Sequence, residues 1–568
     1  RWEQEPFIRE IASLNEAIRE ATRPKPTDTN KDFVVVWGSV RSDFARIGED
    51  GRVRKYNAAL IAQNGEWVCN GILCGWVPKT NLPKYRIFDD ARHFYPARKL
   101  AQEMKNRVQD LWQLLRPFEV VINGKKVKLG LAVCEDLWED EYIDKPSQIY
   151  GMHGADLVID ISQSPWTAEK WHARDEMLKR RARDAKAPII YVNSVGLQNN
   201  GKNLVWFDGN SCIIDESGDF RFRSKQNEAT LDWVHLGSLP KPEEVRKHTQ
   251  GIAEIHGALI SAMREYFAPF KKVVIGLSGG IDSAVVAALL AEALGPEKVH
   301  AVNMPTQFNS KTTKDLAKQC AKNLGIEYRI SPIQGVYTAE LKAQQKLGGN
   351  ITTLVKENIQ ARARGHRLAG IAAKLGGVFT NNGNKTEVAL NYFTLYGDGA
   401  GAASFLGDLW KGQVYELGRY MNSCAGRELI PEGIFTVVPS AELSENQNVD
   451  EGKGDPIFYP YHDKLLRAWV ERRWDPEMVL ASYRKGTLEN DIGCEPFTIA
   501  KYFKDSATFI ENLEWAWRSY SIEWKRVQLP PVFITSRRAM GFDRRDTIAD
   551  GYFTEEYYRL RDRYQEAA

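Results

Sequence analysis

The 568-residue sequence predicts an α/β protein in two parts: a layered sandwich, then a doubly wound parallel sheet. Three observations carry this. From about 33 to 235, short apolar runs of strand character ("DFVVVWGSV", "YNAALIAQ", "KVKLGLAVC", "ADLVIDIS", "APIIYVNSV", "NSCIIDE") are interleaved with helical stretches near 97–115 and 168–186. From about 270, strands and helices alternate regularly ("KKVVIGL", "IDSAVVAALLAEAL", "KVHAVNM", "TKDLAKQCAKNLG", "IEYRISPI"), the pattern of a parallel sheet with crossover helices. Between them lies a polar connector with two prolines, "LGSLPKPEEVRKHTQG" (236–251). The expected domains are therefore 1–235 and 252–568, joined by the linker 236–251.

Taken in order, the chain opens on a helix, "PFIREIASLNEAIREA", rather than on the strand that starts most α/β domains. Together with the absence of an initial Met, this leads us to expect a sequence that lacks the extreme N-terminus of a longer protein. The second half opens on the amphipathic helix "IAEIHGALISAMREYFAPF", and beyond about 445 the pattern is helical and rich in aromatics. Hydrophobic residues make up 43% and charged residues 27% of the chain, which excludes a disordered protein. A net charge of +3 gives no case for nucleic-acid or membrane-surface binding. The longest apolar run (283–294) is too short to cross a bilayer and contains Glu292. Seven scattered cysteines fit neither a metal site nor a disulfide framework, so free thiols in a reducing cytoplasm are expected.

Two stretches carry chemistry. In "KKVVIGLSGGIDSAVVAALL" (271–290) a strand runs through Ser278-Gly279-Gly280-Ile281-Asp282-Ser283 into a helix. Two glycines let backbone approach closely, and the helix start offers unpaired N–H groups to a phosphate-sized anion. The lysine of a Walker loop is missing, and an acid, Asp282, stands in its place. An acid beside polyphosphate requires an intervening divalent cation. In "LGLAVCEDLWED" (129–140), Cys134 ends an apolar run and is followed by two acids, Glu135 and Asp136. Neighbouring carboxylates oppose a thiolate, so Cys134 is either an inert buried thiol or a nucleophile activated from elsewhere.

The loop resembles the PP-loop of ATP pyrophosphatases. With "ENIQARARG" (357–365), "NNGNKTEVALNYFTLYGDGAGAASFLGDLWKGQVYELGR" (381–419), "PSAEL" (439–443) and "KRVQLPP" (525–531), the second half is similar to NAD synthetases. The first half resembles nitrilase-type glutaminases, an αββα sandwich, through "CEDLW" and "GWVPKTNLPKYRIFDDARHF". The whole is similar to the glutamine-dependent NAD synthetase family. That resemblance implies adenylylation of deamido-NAD by ATP with release of pyrophosphate, followed by attack of ammonia made from glutamine. It implies that Gly276, Ser278, Gly279, Gly280 and Ser283 cradle ATP, that Asp282 and Glu387 hold Mg²⁺, and that Lys411 reaches the phosphates. Asn358, Arg362, Asp398 and Lys525 fall on deamido-NAD positions. Read as residues alone, Arg362, Arg364 and Arg367 form a charge run of the kind that usually faces solvent. Cys134 matches the glutaminase nucleophile and Lys79 the lysine that stabilises the oxyanion, while Tyr85, Glu135, Ser164 and Lys170 match glutamine contacts. A homo-oligomer with an ammonia tunnel is also implied, with no nucleic-acid or membrane partner.

Two departures stand out. Asn381, Asn382 and Thr386 replace hydroxyl residues of the family pattern Thr-Thr-Gly-Asn-Lys-Ser-Glu; asparagine still donates and accepts hydrogen bonds. The glutaminase base, a Glu in a "GYxxED" segment, would fall upstream of Arg1, and neither Glu3 nor Glu5 has its context. Two readings of the first half therefore remain: a glutaminase whose sequence is truncated here, or a non-catalytic module for assembly or regulation beside an ammonia-dependent synthetase. A different PP-loop amidotransferase is a third reading, which "GNKTE" and "YGDG" disfavour.

Overall fold

Strand-forming runs of β-branched and apolar residues build both units of the computed structural model, which describes residues 3–27, 32–48, 51–85, 87–104, 110–540 and 551–565. The compact units are Arg1–Gly196 with Phe207–Thr249, and Leu197–Trp206 with Gln250–Ala568. The hairpin tip Leu197–Trp206 thus belongs to the second unit, where the N–H of Leu204 donates to the carbonyl of Val532 at 2.9 Å.

In the first unit, α1 (Glu5–Ala21) packs on β1 (Val34–Ile47), which pairs antiparallel with β2 (Val53–Gln63); β3 (Trp76–Pro78) pairs with the other edge of β2. The second sheet contains β4 (Phe118–Ile122), β5 (Lys125–Val133), β6 (Leu157–Ser162), β7 (Ile189–Asn193), β8 (Cys212–Ile214) and β9 (Phe220–Arg223), adjacent in that order. Only β5–β6 and β6–β7 are parallel. The facing sides pack a core of Tyr56, Ala59, Ile61 and Val77 against Leu129, Leu131 and Val133. The sheets approach so closely that a Cβ on Gly38 of β1 would lie 2.5 Å from Ile161 of β6. Helix α2 (Lys170–Ala185) covers the outer face of β7 and β8, completing the αββα order. The helical stretch expected over 97–115 is broken: helices occupy Ala97–Glu103 and Leu111–Leu114, and 105–109 lie outside the described residues. The free thiols expected from the sequence need one correction, since Cys69 and Cys74 are joined as a disulfide across a tight turn.

The second unit opens on α3 (Gly251–Phe267) and β10 (Val273–Gly276), which leads into α4 (Ile281–Leu294). Then follow β11 (Val299–Asn303), α5 (Lys311–Leu324), β12 (Glu327–Ile330), α6 (Thr353–Lys374) and β13 (Val378–Phe379). The sheet is wholly parallel, in the order β12-β11-β10-β13. The chain winds from β10 to β11 on one side and reaches β13 on the other. This puts a topological switch point at the carboxyl end of β10, where open α/β sheets present ligand crevices. Two further helices carry site residues, α7 (Lys385–Ala389) and α8 (Lys411–Ala425). The C-terminal region is helical, as its pattern suggests: α9 (Tyr459–Arg472) and α10 (Ser506–Ser521) pack Tyr461, Leu465, Trp469, Phe509 and Leu513 into an aromatic core. Among the described residues, no helix is long and apolar enough to cross a membrane.

Candidate active sites

At the first site β5 runs directly into Cys134, whose φ of +50° throws the chain into a left-handed turn and opens the 3₁₀ segment Cys134–Leu137. Successive residues of so tight a turn diverge, which separates the two acids from the thiol. Asp136 turns inward and accepts the N–H groups of Val133 (3.1 Å), Thr80 (2.9 Å) and Asn81 (2.8 Å); burial still pushes its carboxyl up to about 7. Glu135 turns toward two phenols, accepting from Tyr85 at 3.1 Å and Tyr142 at 3.0 Å. Burial raises Glu135 as well, against those hydrogen bonds and the charges of Lys79 and Lys170. Lys79, 3% exposed, ion-pairs with Asp90 and is buried beside Cys134. Burial is the largest force raising the Cys134 thiol pKa, Lys79 the largest opposing it, and Glu135 only a minor contributor. Lys170 donates to Ser164 Oγ at 2.9 Å and to the Pro165 carbonyl at 2.7 Å, with its ammonium 5.7 Å from the Trp138 ring. All six residues singled out in this half thus gather around one turn. Glu3 instead pairs with Arg52 at 3.0 Å and Glu5 with Arg9 at 2.5 Å, both on the exposed surface. Asp90 and Tyr142 join those six residues without a motif of their own: Asp90 lies eleven residues after Lys79 in "FDDARHF" and meets it only through the fold.

At the second site the loop after β10 is built as a cradle. Gly279 has φ +97°, and a Cβ there would lie 2.1 Å from the Thr313 carbonyl oxygen, so only glycine fits. The hydroxyls of Ser278 and Ser283 lie 3.1 Å apart, and the N–H groups of Ser278 and Gly280 point to them at 3.2 Å. The loop after β13 meets this cradle. Asn382 donates to the Gly276 carbonyl (3.3 Å), Asn384 caps α7 and donates to Asp282 (2.9 Å), and Asn381 donates to the Asp398 carbonyl (2.7 Å). The asparagines that depart from the family pattern therefore tie site loops together. Lys411, first residue of α8, stands between two carboxylates, 2.5 Å from Asp282 and 3.4 Å from Glu387. Burial raises Glu387, whereas the two acids hold Lys411 charged despite its burial. Thr386 donates to Asp463 and accepts the Lys411 N–H at 3.2 Å, fixing the start of α8.

Ser278, Gly280, Asp282, Ser283, Glu387 and Lys411 line a cavity of about 290 Å³ together with Asp398, Asp455, Tyr392, Arg364 and Glu442. Arg364 is the arginine of the charge run that lines it, its Nη2 3.1 Å from Asn309 and its pKa lowered by burial. Arg362 donates to the Leu395 carbonyl (3.3 Å), Asn358 accepts from Thr394 (2.7 Å), and Lys525 donates to the Asn391 carbonyl (2.6 Å). These three do not line the cavity; they brace the loop that carries Asp398 into it. Ala361, Arg364, Gly365 and Leu368 share the face of α6 that lines the cavity, and packing decides which arginine of the run stands on it.

Residues 29–236 match the carbon-nitrogen hydrolase family model and residues 254–490 the NAD synthase model. A glutamine-dependent NAD(+) synthetase of Thermotoga maritima is 32% identical over 83% of this chain and 80% of its own length. The chain belongs to the glutamine-dependent NAD(+) synthetase family. The family relative of Aquifex aeolicus is 31% identical over 97% of this chain and 90% of its own. Among solved structures, a glutamine-dependent NAD⁺ synthetase of Acinetobacter baumannii in complex with ADP superposes with a TM-score of 0.64 at 27% identity, over 97% of this chain and 89% of that one. The family protein of Cytophaga hutchinsonii has the same fold, with a TM-score of 0.71 at 16% identity. The chain is an enzyme of glutamine-dependent NAD synthesis, a ligase with ATP as a substrate.

Proposed function

We propose that Cys134 and Lys79 are the catalytic groups of the glutaminase centre, with Glu135 as a glutamine contact, and that the glycine loop with Lys411, Asp282 and Glu387 forms the adenylylation centre. The Cys134 thiolate adds to the carboxamide of glutamine, and the Lys79 ammonium stabilises the oxyanion that results. Glu135, with its two phenols, accepts the substrate ammonium, while Tyr85, Ser164 and Lys170 orient the rest of the glutamine. The proton given up by the Cys134 thiol passes to the amide nitrogen as the C–N bond breaks, ammonia leaves, and water hydrolyses the thioester to release glutamate and restore the thiol. At the second centre Gly276, Ser278, Gly279, Gly280 and Ser283 hold the ATP phosphates. The nicotinate carboxylate of deamido-NAD attacks the α-phosphorus, pyrophosphate departs, and ammonia displaces AMP to leave the amide. Asp398 faces the dinucleotide, and Asn358, Arg362 and Lys525 secure its loop.

Among the described residues, no group of three His, Cys, Asp or Glu side chains could hold a metal by itself. Two carboxylates, Asp282 and Glu387, flank Lys411. That donor set fits Mg²⁺, which binds through one or two carboxylates with substrate phosphates completing its shell. Bound there, Mg²⁺ would screen the charge of the triphosphate. We propose also that the enzyme is cytoplasmic and assembles with copies of itself, which cell fractionation and sedimentation velocity test.

The observation that carries the reading is Lys79, a buried ammonium set against a buried thiol at a left-handed strand end. The test is Cys134→Ala. Glutamine-driven NAD formation is lost while ammonia-driven formation persists; a variant that still used glutamine would refute the glutaminase assignment.

A further inference from the structure

The left-handed turn at Cys134 needs support, because a non-glycine residue occupies that backbone region at a cost. Asp136 supplies it on one side through three backbone N–H groups. The other side faces β6, where the parallel register sets Ala132 beside Asp160 and Val133 beside Ile161. Asp160 is 0% exposed. Its Oδ2 accepts the Ser162 hydroxyl at 2.6 Å, and its Oδ1 meets no hydrogen-bond partner among the described residues. A carboxyl taken out of water with one oxygen open is costly, and an apolar residue would fill the strand without that cost.

The groups whose charge or dipole acts on Asp160 are Cys134 with its backbone N–H, which stands outside hydrogen-bond geometry, and Asp136, Lys79 and Ser162. The same carboxyl helps to raise the Tyr191 phenol of β7 and the Cys212 thiol of β8, behind burial as the main cause. Of these, Lys79 alone carries positive charge, and it is shared with the thiol and with Asp90.

We propose that Asp160 is a positioning residue for the Cys134 nucleophile: its carboxyl braces the left-handed turn from the neighbouring strand, and its proton is coupled to that of the thiol. The proposal rests on Cys134 being the glutaminase nucleophile. Burial holds Asp160 up to about 7, so below that pH the thiolate forms beside a neutral acid. Above it, the ionised carboxylate opposes the thiolate, and the titration of the thiol is raised and broadened. The function is thus set by a strand residue that touches no substrate.

The experiment compares the full-length wild type with Asp160→Asn, Asp160→Ala and Cys134→Ala. Iodoacetamide labelling of Cys134, read from the mass of its tryptic peptide across a pH series, reports the thiol directly. Asparagine keeps an acceptor for the turn but no charge, so its labelling midpoint is expected to fall by about one pH unit. Asp160→Ala loses the brace, and glutamine-driven turnover drops about tenfold or more while ammonia-driven turnover stays at the wild-type level. Asp160→Asn recovers most of that turnover, with its optimum moved to lower pH. An unshifted midpoint in Asp160→Asn, or wild-type glutamine turnover in Asp160→Ala, overturns the proposal. If Asp160→Ala also loses ammonia-driven turnover, it is misfolded and Asp160→Asn alone decides. Glutamine use surviving in Cys134→Ala sinks the nucleophile reading instead; the labelling experiment, which needs no catalysis, still judges Asp160.

Discussion

Lys411 Nζ lies 2.5 Å from Asp282 Oδ2 at the lip of the glycine loop, with Glu387 3.4 Å away on its other side. One buried ammonium thus neutralises two partly exposed carboxylates, and each partner needs the others. Lys411→Ala leaves two acids unpaired where polyphosphate must bind. Both glutamine-driven and ammonia-driven NAD formation are expected to fall by about 10²-fold or more. Asp282→Asn is expected to raise the Mg²⁺ concentration that gives half-maximal rate. Steady-state assays with each nitrogen source check both; an Asp282→Asn enzyme with wild-type Mg²⁺ dependence contradicts the assignment.

Glu135 accepts from Tyr85 and Tyr142 and is held away from the thiol. If it receives the ammonium of glutamine, Glu135→Gln removes a charge-assisted hydrogen bond. A loss of about 1.5–3 kcal/mol raises the KM for glutamine about 10- to 100-fold. Tyr85→Phe keeps the carboxylate and raises KM by a few-fold only. Ammonia-driven rates are the control and stay constant.

Gly279 is the position in the cradle least able to accept a side chain, by its φ and because a Cβ there would lie 2.1 Å from the Thr313 carbonyl oxygen. Gly279→Ala is expected to cost about 1–3 kcal/mol in backbone strain and to displace the loop from the start of α5. The KM for ATP rises with either nitrogen source, while labelling of Cys134 is unaffected. Calorimetry and ATP titration measure the two effects.

His462 is fully buried; its Nδ1 accepts the Phe458 N–H at 2.9 Å and its Nε2 lies 3.0 Å from Asn512. Burial depresses its pKa to about 4. Between roughly pH 6.5 and 4 the unfolded chain therefore binds a proton that the native ring does not, and stability falls on acidification through that window. The full shift is worth about 3 kcal/mol. The melting temperature of His462→Gln is expected to drop less than that of the wild type between pH 7.5 and pH 5. Equal drops in the two proteins would mean that other groups set the acid sensitivity.

Local signals made the strand ends legible. Ser278 to Ser283 and Cys134 were readable because a glycine pair, a strand and a helix start are contiguous in sequence. Asp90, Asp160, Arg364 and Glu442 were not, because each meets its partners through another element. Glu442, for example, accepts from Ser310 (3.0 Å) and Thr313 (2.7 Å), about 130 residues away. Arg362 and Arg364 differ by two positions on one helix, roughly 200° of rotation, and only packing shows which of them faces the cavity.

The sequence by itself determined the two α/β architectures, the glycine cradle, the nucleophile candidate and the family, all of which rest on periodicity or on contiguous motifs. Only the tertiary structure decided what the acids beside Cys134 do. A tight turn sends Glu135 to the phenols and Asp136 to the backbone, and burial together with Lys79 governs the thiol. Charge interactions depend on distance and on exclusion of water, and neither is written in the order of the residues.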